Sequence, residues 1–176
     1  MSGIDESLKF KPLRIAVLTI SDTRTLEDDS SGNILCERVQ AAGHILAKRA
    51  IIIDEIEKIR AAAKALIDDE TVDVIVSTGG TGLTGRDVTP EAIRPLFDRE
   101  IEGFSVIFHQ VSFQSVGLST LASRACAGVA KGTILFALPG SNGAVKDGWD
   151  RVIGDILDSR HRPCNLVELM PRLMEK

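Results

Sequence analysis

The sequence predicts an α/β domain whose parallel sheet is covered by helices on both faces. Three short apolar runs, RIAVLTI (Arg14 to Ile20), VDVIVS (Val72 to Ser77) and TILFAL (Thr133 to Leu138), are nearly continuous in β-branched and aliphatic residues. Strands of that kind are buried on both faces, which is the habit of parallel sheets. The runs are separated by segments with helical periodicity, and 176 residues is the length of one compact domain.

Each element follows from a local signal. After the first run, Ser30 or Ser31 is the expected N-cap of a helix through about Ala42, with Ile34, Leu35, Val39 and Ala42 on one face and Gly43 as its stop. His44 to Ile53 reads as the second strand. Glu55 to Ile67 places Ile56, Ile59, Ala63, Leu66 and Ile67 at helical spacing, with Glu57, Lys58, Arg60 and Lys64 between them. A glycine-rich segment, Thr78 to Asp87, follows the third strand. Thr89 and Pro90 are expected as N-cap and first turn of a helix continuing through Glu91 to Asp98. Ala144 to Leu157 is the last amphipathic helix, with Val145, Trp149, Val152, Ile153 and Ile156 inward. Residues 13–165 form the domain, with 1–12 as an N-terminal extension and 166–176 as a tail, both ends loosely attached.

Composition excludes several classes of function. With 21 Lys+Arg against 25 Asp+Glu the net charge is −4, which argues against a dedicated nucleic-acid binder. Six Phe, one Trp and no Tyr are too few for a base-stacking platform. Cys36, Cys126 and Cys164 are odd in number and form no CxxC pair, which fits a reducing, cytoplasmic compartment. Met1 to Pro12 lacks the apolar core of an export signal. Residues 103–123 carry no formal charge, yet His109, Gln110, Gln114 and a series of Ser and Thr make them too polar for a membrane span. No membrane partner is expected.

In open parallel sheets ligands bind beyond the carboxyl ends of the strands. Here those ends lead into Ser21-Asp22, Asp54-Glu55, Thr78-Gly79-Gly80-Thr81-Gly82 and Pro139-Gly140-Ser141-Asn142. Carboxylates beside glycine-rich backbone suit a phosphate ligand carrying a divalent cation. Gly80, Gly82 and Gly85 fit GxGxxG, but the helix start is deferred to Thr89 and the loop follows the third strand, which argues against a dinucleotide cofactor. The GK[ST] ending of a P-loop is also missing. Taken singly, Asp22 reads as a turn or capping residue, Asp54 equally as a helix cap or a functional group, and Arg124 as a phosphate partner or a helix support. The place of Asp87 inside the glycine loop favours function. His44, His109 and His161 are scattered and read as structural, and Cys126 as core.

STGGTGLTGRDVTPEAI (Ser77 to Ile93), LTISDT (Leu18 to Thr23), LSTLASRACAGV (Leu118 to Val129) and LPGS (Leu138 to Ser141) together resemble the molybdopterin-binding family. That family takes in the protein B branch of molybdenum cofactor biosynthesis, the Mog-type adenylyltransferases and the gephyrin G domain. DREIEGF (Asp98 to Phe104) and RHRPCN (Arg160 to Asn165) are most similar to the protein B branch. The resemblance implies a three-layer α/β/α domain on a mostly parallel sheet that binds molybdopterin. It implies adenylylation of molybdopterin by Mg-ATP with release of pyrophosphate; the alternative is a non-catalytic molybdopterin-binding or hand-over protein of the same pathway. By motif match Asp54 and Asp87 take the functional carboxylate positions, assigned here to Mg²⁺. Ser21, Asp22, Thr78 to Gly82, Ser123, Arg124 and Pro139 to Ser141 fall on ligand-contact segments. Family members also assemble as trimers or hexamers. That agrees with the charge-free stretch Gly103 to Ser123, where Phe104, Ile107, Phe108 and Val111 recur at helical spacing; part of this stretch is expected between subunits of a homo-oligomer.

Overall fold

Alternation along each strand decides which layer a residue joins. In the computed structural model, which describes residues 3–175, the chain runs through β1 (Gly3–Ile4), β2 (Arg14–Ile20), α1 (Ser30–Ala41), β3 (Ile45–Ile52), α2 (Ile56–Ile67), β4 (Val74–Thr78), α3 (Thr89–Ile93), β5 (Arg99–Glu100), α4 (Glu102–Val116), β6 (Cys126–Ala130), β7 (Thr133–Leu138), α5 (Asn142–Gly148), α6 (Gly154–Ile156), β8 (His161–Arg162) and α7 (Leu166–Leu169). Six strands form one sheet in the order β3-β2-β4-β7-β6-β5, while β1 and β8 pair separately. The neighbours β3, β2, β4 and β7 are parallel; β6 and β5 close one edge antiparallel. Ile15, Val17, Val74, Val76, Ile134 and Phe136 face α1, α4 and α5, joining Leu35, Phe108, Val145 and Trp149 in one core. Ala16, Leu18, Ile20, Ile75 and Leu135 face the other way, onto Ile59, Ala63 and Leu66 of α2 and Ala92 and Ile93 of α3. The central strands β2, β4 and β7 are buried on both faces, whereas the edge strand β3, with Lys48 and Arg49, is exposed or half-buried throughout. The three-layer α/β/α architecture is the one expected.

Several local expectations are corrected. The N-cap of α1 is Asp29, not Ser30 or Ser31: its fully buried carboxylate accepts the Gly32 N–H at 2.9 Å. Thr89 does not cap α3. Val88 occupies that position, and the Thr89 hydroxyl instead donates to the Gly79 carbonyl at 2.9 Å. The helix also ends at Ile93, passing through a tight turn at Arg94–Leu96 into β5, rather than continuing to Asp98. Strands β5 and β6 have no sequence signal of the kind that marks the others. CAGVA is small because a Cβ at Gly128 would collide with the Phe97 ring. The last helix starts at Asn142 under a Ser141 cap and is interrupted by a π-helical turn at Trp149–Ile153. The ends are also held rather than loose. Gly3 and Ile4 pair with Arg162 and His161, the Phe10 ring packs on His44, and Val167 is buried.

The charge-free segment divides between two environments. Phe104 and Phe108 lie in the core at 5% and 0% exposure, whereas Ile107 on the next face is 45% exposed. Val106, Phe113, Val116, Leu118 and Leu121 are exposed as well. Phe108→Ala should therefore cost about 3–5 kcal/mol and lower the melting temperature by roughly 10 °C. Ile107→Ser should move it by no more than about 2 °C in a monomeric state. Differential scanning calorimetry of the two variants checks the assignment, and equal losses would contradict it.

Candidate functional site

The carboxyl ends of β2, β3, β4 and β7 meet because the strands are parallel and in register, Thr19 opposite Thr78 and Thr78 opposite Leu138. A cavity of about 510 Å³ opens above them. Ser21, Thr78, Gly79, Gly80, Thr81, Gly82, Asp87, Ser123, Pro139, Gly140 and Ser141 line it, so most of the expected site residues converge. Asp22, Asp54 and Arg124 stand outside the lining.

Close approach of backbone fixes the glycine segment. Gly79 takes φ +105°, and a Cβ there would strike the Ile20 carbonyl oxygen. Gly80 takes φ +64°, and a Cβ there would strike the Thr89 hydroxyl. Both conformations exclude other residues for steric reasons. Gly79 N–H donates to Leu138 O at 3.0 Å and Thr89 N–H to Gly80 O at 2.9 Å, which leaves the Gly80 and Thr81 N–H groups without an internal partner among the described residues. Thr78 Oγ1 donates to Pro139 O at 3.0 Å, joining the β4 and β7 loops.

Arg124 serves this loop instead of facing the cavity. Its Nε donates to Gly82 O at 2.8 Å, its Nη2 to Asp87 O at 2.5 Å and its Nη1 to the Glu91 carboxylate, while its own N–H donates to Thr81 O at 2.8 Å. Three of its five side-chain N–H groups thus go to the loop carbonyls and to Glu91, which gives Arg124 a positioning role in the structure. Asp22 is likewise a latch. It accepts the Asp54 N–H at 3.0 Å and pairs with Arg86 at 2.7 Å, which holds its carboxyl below the usual range.

The two candidate carboxylates differ in what surrounds them. Asp54 Oδ1 is buried 2.8 Å from where a Gly80 Cβ would lie and has no hydrogen-bond partner. It caps no helix, since α2 is capped at Glu55. Burial, and then the nearby Asp22 charge, push the Asp54 carboxyl above its ordinary value. Burial pushes Asp87 upward too, but the Thr84 hydroxyl at 2.6 Å and the Thr84 N–H at 2.9 Å outweigh it and hold the carboxyl low. Asp87 Oδ2 lies 2.7 Å from a Gly82 Cβ position. Among the described residues no cluster of three or more His, Cys, Asp or Glu is assembled. The unpaired Asp54 oxygen beside Gly80 and the Asp87 carboxylate beside Gly82 suit Mg²⁺, which keeps several waters and takes one or two carboxylates plus substrate phosphate.

The sequence reading missed Arg24, Ser31, Ser112, Ser119 and Thr120, which also line the cavity. Thr81 and Thr120 hydroxyls are buried there without a partner. Arg24, two residues beyond Asp22 in the same loop, was within reach of the strand-end rule. Ser112, Ser119 and Thr120 come from α4 and the turn after it, and Ser31 from α1, elements that strand ends do not reveal. None of the histidines lines the cavity: His44 Nδ1 accepts the Leu13 N–H at 3.1 Å, His109 Nε2 lies 3.0 Å from Ser123 O, and His161 Nδ1 lies 3.1 Å from Cys164 O. Cys126 is core, its thiol pushed up to about 11 by burial.

Comparison with known proteins places this geometry. Residues 16–159 match the model of a probable molybdopterin binding domain. Molybdenum cofactor biosynthesis protein B of Escherichia coli K12 is 50% identical over 159 residues, covering 90% of this chain and 94% of that protein. The protein of the same name from Bacillus cereus is 41% identical, covering 86% and 93%. A crystal structure of a molybdenum cofactor biosynthesis protein B superposes with TM-score 0.84 at 38% identity, covering 94% of this chain and 98% of that one. The tungsten cofactor synthesizing protein MoaB of Pyrococcus furiosus gives 0.74 at 35%, covering 83% and 93%. The chain belongs to the molybdopterin-binding family, in the protein B branch of molybdenum cofactor biosynthesis.

Proposed function

We propose that the protein is a molybdopterin adenylyltransferase, which joins AMP from Mg-ATP to molybdopterin and releases pyrophosphate. The observation that supports this reading is the pair of unlike carboxylates against the glycine loop, Asp54 from the β3–α2 turn with an unpaired buried oxygen beside Gly80 and Asp87 held ionised beside Gly82. An oxygen of the molybdopterin phosphate attacks the α-phosphorus of ATP, and the bond to the pyrophosphate leaving group breaks. A phosphate monoester with a second pKa of about 6 is mostly dianionic at pH 7, so no strong base is required. What must be supplied is alignment and relief of anion–anion repulsion. Free N–H groups of Gly80 and Thr81 donate to phosphate oxygens. Asp54 and Asp87 would hold Mg²⁺, which when bound would neutralise phosphate charge. Arg124 keeps the loop carrying Asp87 in place, and Asp22 keeps Asp54 in place.

Incubation with molybdopterin, ATP and Mg²⁺ is expected to yield adenylylated pterin, and chelation should abolish it. Asp87→Asn and Asp54→Asn should each lower the rate at least about 100-fold without loss of fold. Bound pterin that is never adenylylated would make the protein a carrier or hand-over factor instead.

A second expectation concerns stability. The Asp54 pKa is raised in the folded state, so the native state binds more protons between the unfolded and folded values, and stability falls as pH rises through that window. Without metal, Asp54→Asn should therefore raise the melting temperature at pH 7 by about 2 °C or more. That gain should vanish below about pH 3.9, where the unfolded carboxyl is also protonated. Melting curves at both pH values check the sign; destabilisation at pH 7 would contradict it.

A homo-oligomer, trimer or hexamer, is part of the same proposal. It is supported by the exposed apolar side chains Val106, Ile107, Phe113, Val116, Leu118 and Leu121 along one charge-free segment. Light scattering at micromolar concentration should give at least a trimer, and Leu118→Glu combined with Leu121→Glu should shift it toward monomer. A monomeric parent protein would refute it.

A further inference from the structure

Among the described residues lining the strand-end cavity, Arg24 is the only cation, and the proposed transfer step does not use it. Its loop is a fixed turn: Ser21 Oγ accepts the N–H groups of Thr23 and Arg24 at 3.3 and 3.2 Å. The guanidinium reaches back toward the buried Asp29 carboxylate. That carboxylate is already served at shorter range by the Thr19 hydroxyl at 2.6 Å, the Gly32 N–H at 2.9 Å and Arg49 at 3.2 Å. Arg24 Nη1 stands 3.4 Å from Asp29 Oδ1 and donates to Ser31 Oγ at 2.9 Å, while Nη2 stands 3.4 Å from Gly140 O. Contacts of 3.4 Å are at the weak limit for N–H donors. Nε donates to nothing among the described residues. One carboxylate shared between two guanidiniums leaves the cluster one positive charge in excess, and of the two Arg24 is the more exposed, at 31% against 23% for Arg49. The group is thus oriented by Asp29 without being satisfied by it, on a residue that lines the cavity.

We infer that Arg24, with the Ser31 hydroxyl beside it, is a phosphate-recognising subsite on the β2–α1 wall of the cavity. A planar guanidinium with unspent donors matches a phosphate dianion in shape and charge. The inference rests on the proposed adenylyl transfer only for which phosphate is held, the pterin monophosphate or the triphosphate of ATP; the anion chemistry is common to both. Asp29 is a positioning residue here, and it is unsuited to testing because it also caps α1.

Inorganic pyrophosphate is the probe, titrated calorimetrically into the full chain at low ionic strength. Arg24→Ala should weaken its binding about 10- to 100-fold, the loss expected for a charge-assisted hydrogen bond to phosphate. Arg24→Lys should recover part of it, with the far-ultraviolet circular dichroism of both variants unchanged. Equal affinity in Arg24→Ala and the parent, or no pyrophosphate binding by the parent, overturns the subsite. In the transfer assay the KM that rises in Arg24→Ala, for molybdopterin or for Mg-ATP, names the phosphate held, and a kcat loss with both KM values unchanged overturns the binding role. A parent protein that binds pyrophosphate through Arg24 yet makes no adenylylated pterin keeps the subsite and removes the transferase reading.

Discussion

The contact on which the site depends is the passage of Gly79 against the carbonyl of Ile20. No side chain fits between the end of β2 and the turn leaving β4, so the two strand ends lie at backbone contact distance. That closeness is what lets Thr89 and Arg124 fasten the following residues by hydrogen bonds to main-chain carbonyls. The loop is therefore rigid for a structural reason before any ligand is considered. Preorganisation of this kind spares a phosphate the cost of ordering its own cradle.

The central sheet was legible because short runs nearly continuous in Val, Ile and Leu suit strands covered on both faces. Register alone then brought Ser21, Gly79 to Gly82 and Pro139 to Ser141 to one cavity. The misses share a cause, which is that the deciding partner is remote in sequence. Asp29 caps α1 because Thr19 and Arg49, on β2 and β3, make a buried place for its charge. Thr89 looked like a cap until the Gly79 carbonyl claimed its hydroxyl. Arg124 read equally as a phosphate partner or a helix support, and neither reading foresaw its bonds to Gly82, Asp87 and Glu91. Strand β6 is hidden because packing under Phe97 selects glycine, against its own strand propensity.

Asp54 and Asp29 show two treatments of a carboxylate withdrawn from water. Asp29 is surrounded by donors and stabilises the junction of β2, α1 and β3. Asp54 keeps an unpaired oxygen at the edge of the glycine loop, a local cost retained where chemistry is proposed. Within one domain, then, satisfaction of buried charge separates scaffold from site better than burial does.

The pairing of β1 with β8 has a consequence for architecture beyond the domain. Phe10 and His44 sit at the edge where the parallel strands begin, and Met174 rests against Gly132 in the turn that precedes β7. Residues near both limits of the described chain thus lie at the sheet edge away from the strand ends that form the cavity. Additional polypeptide joined at either side would emerge behind the mouth of the pocket.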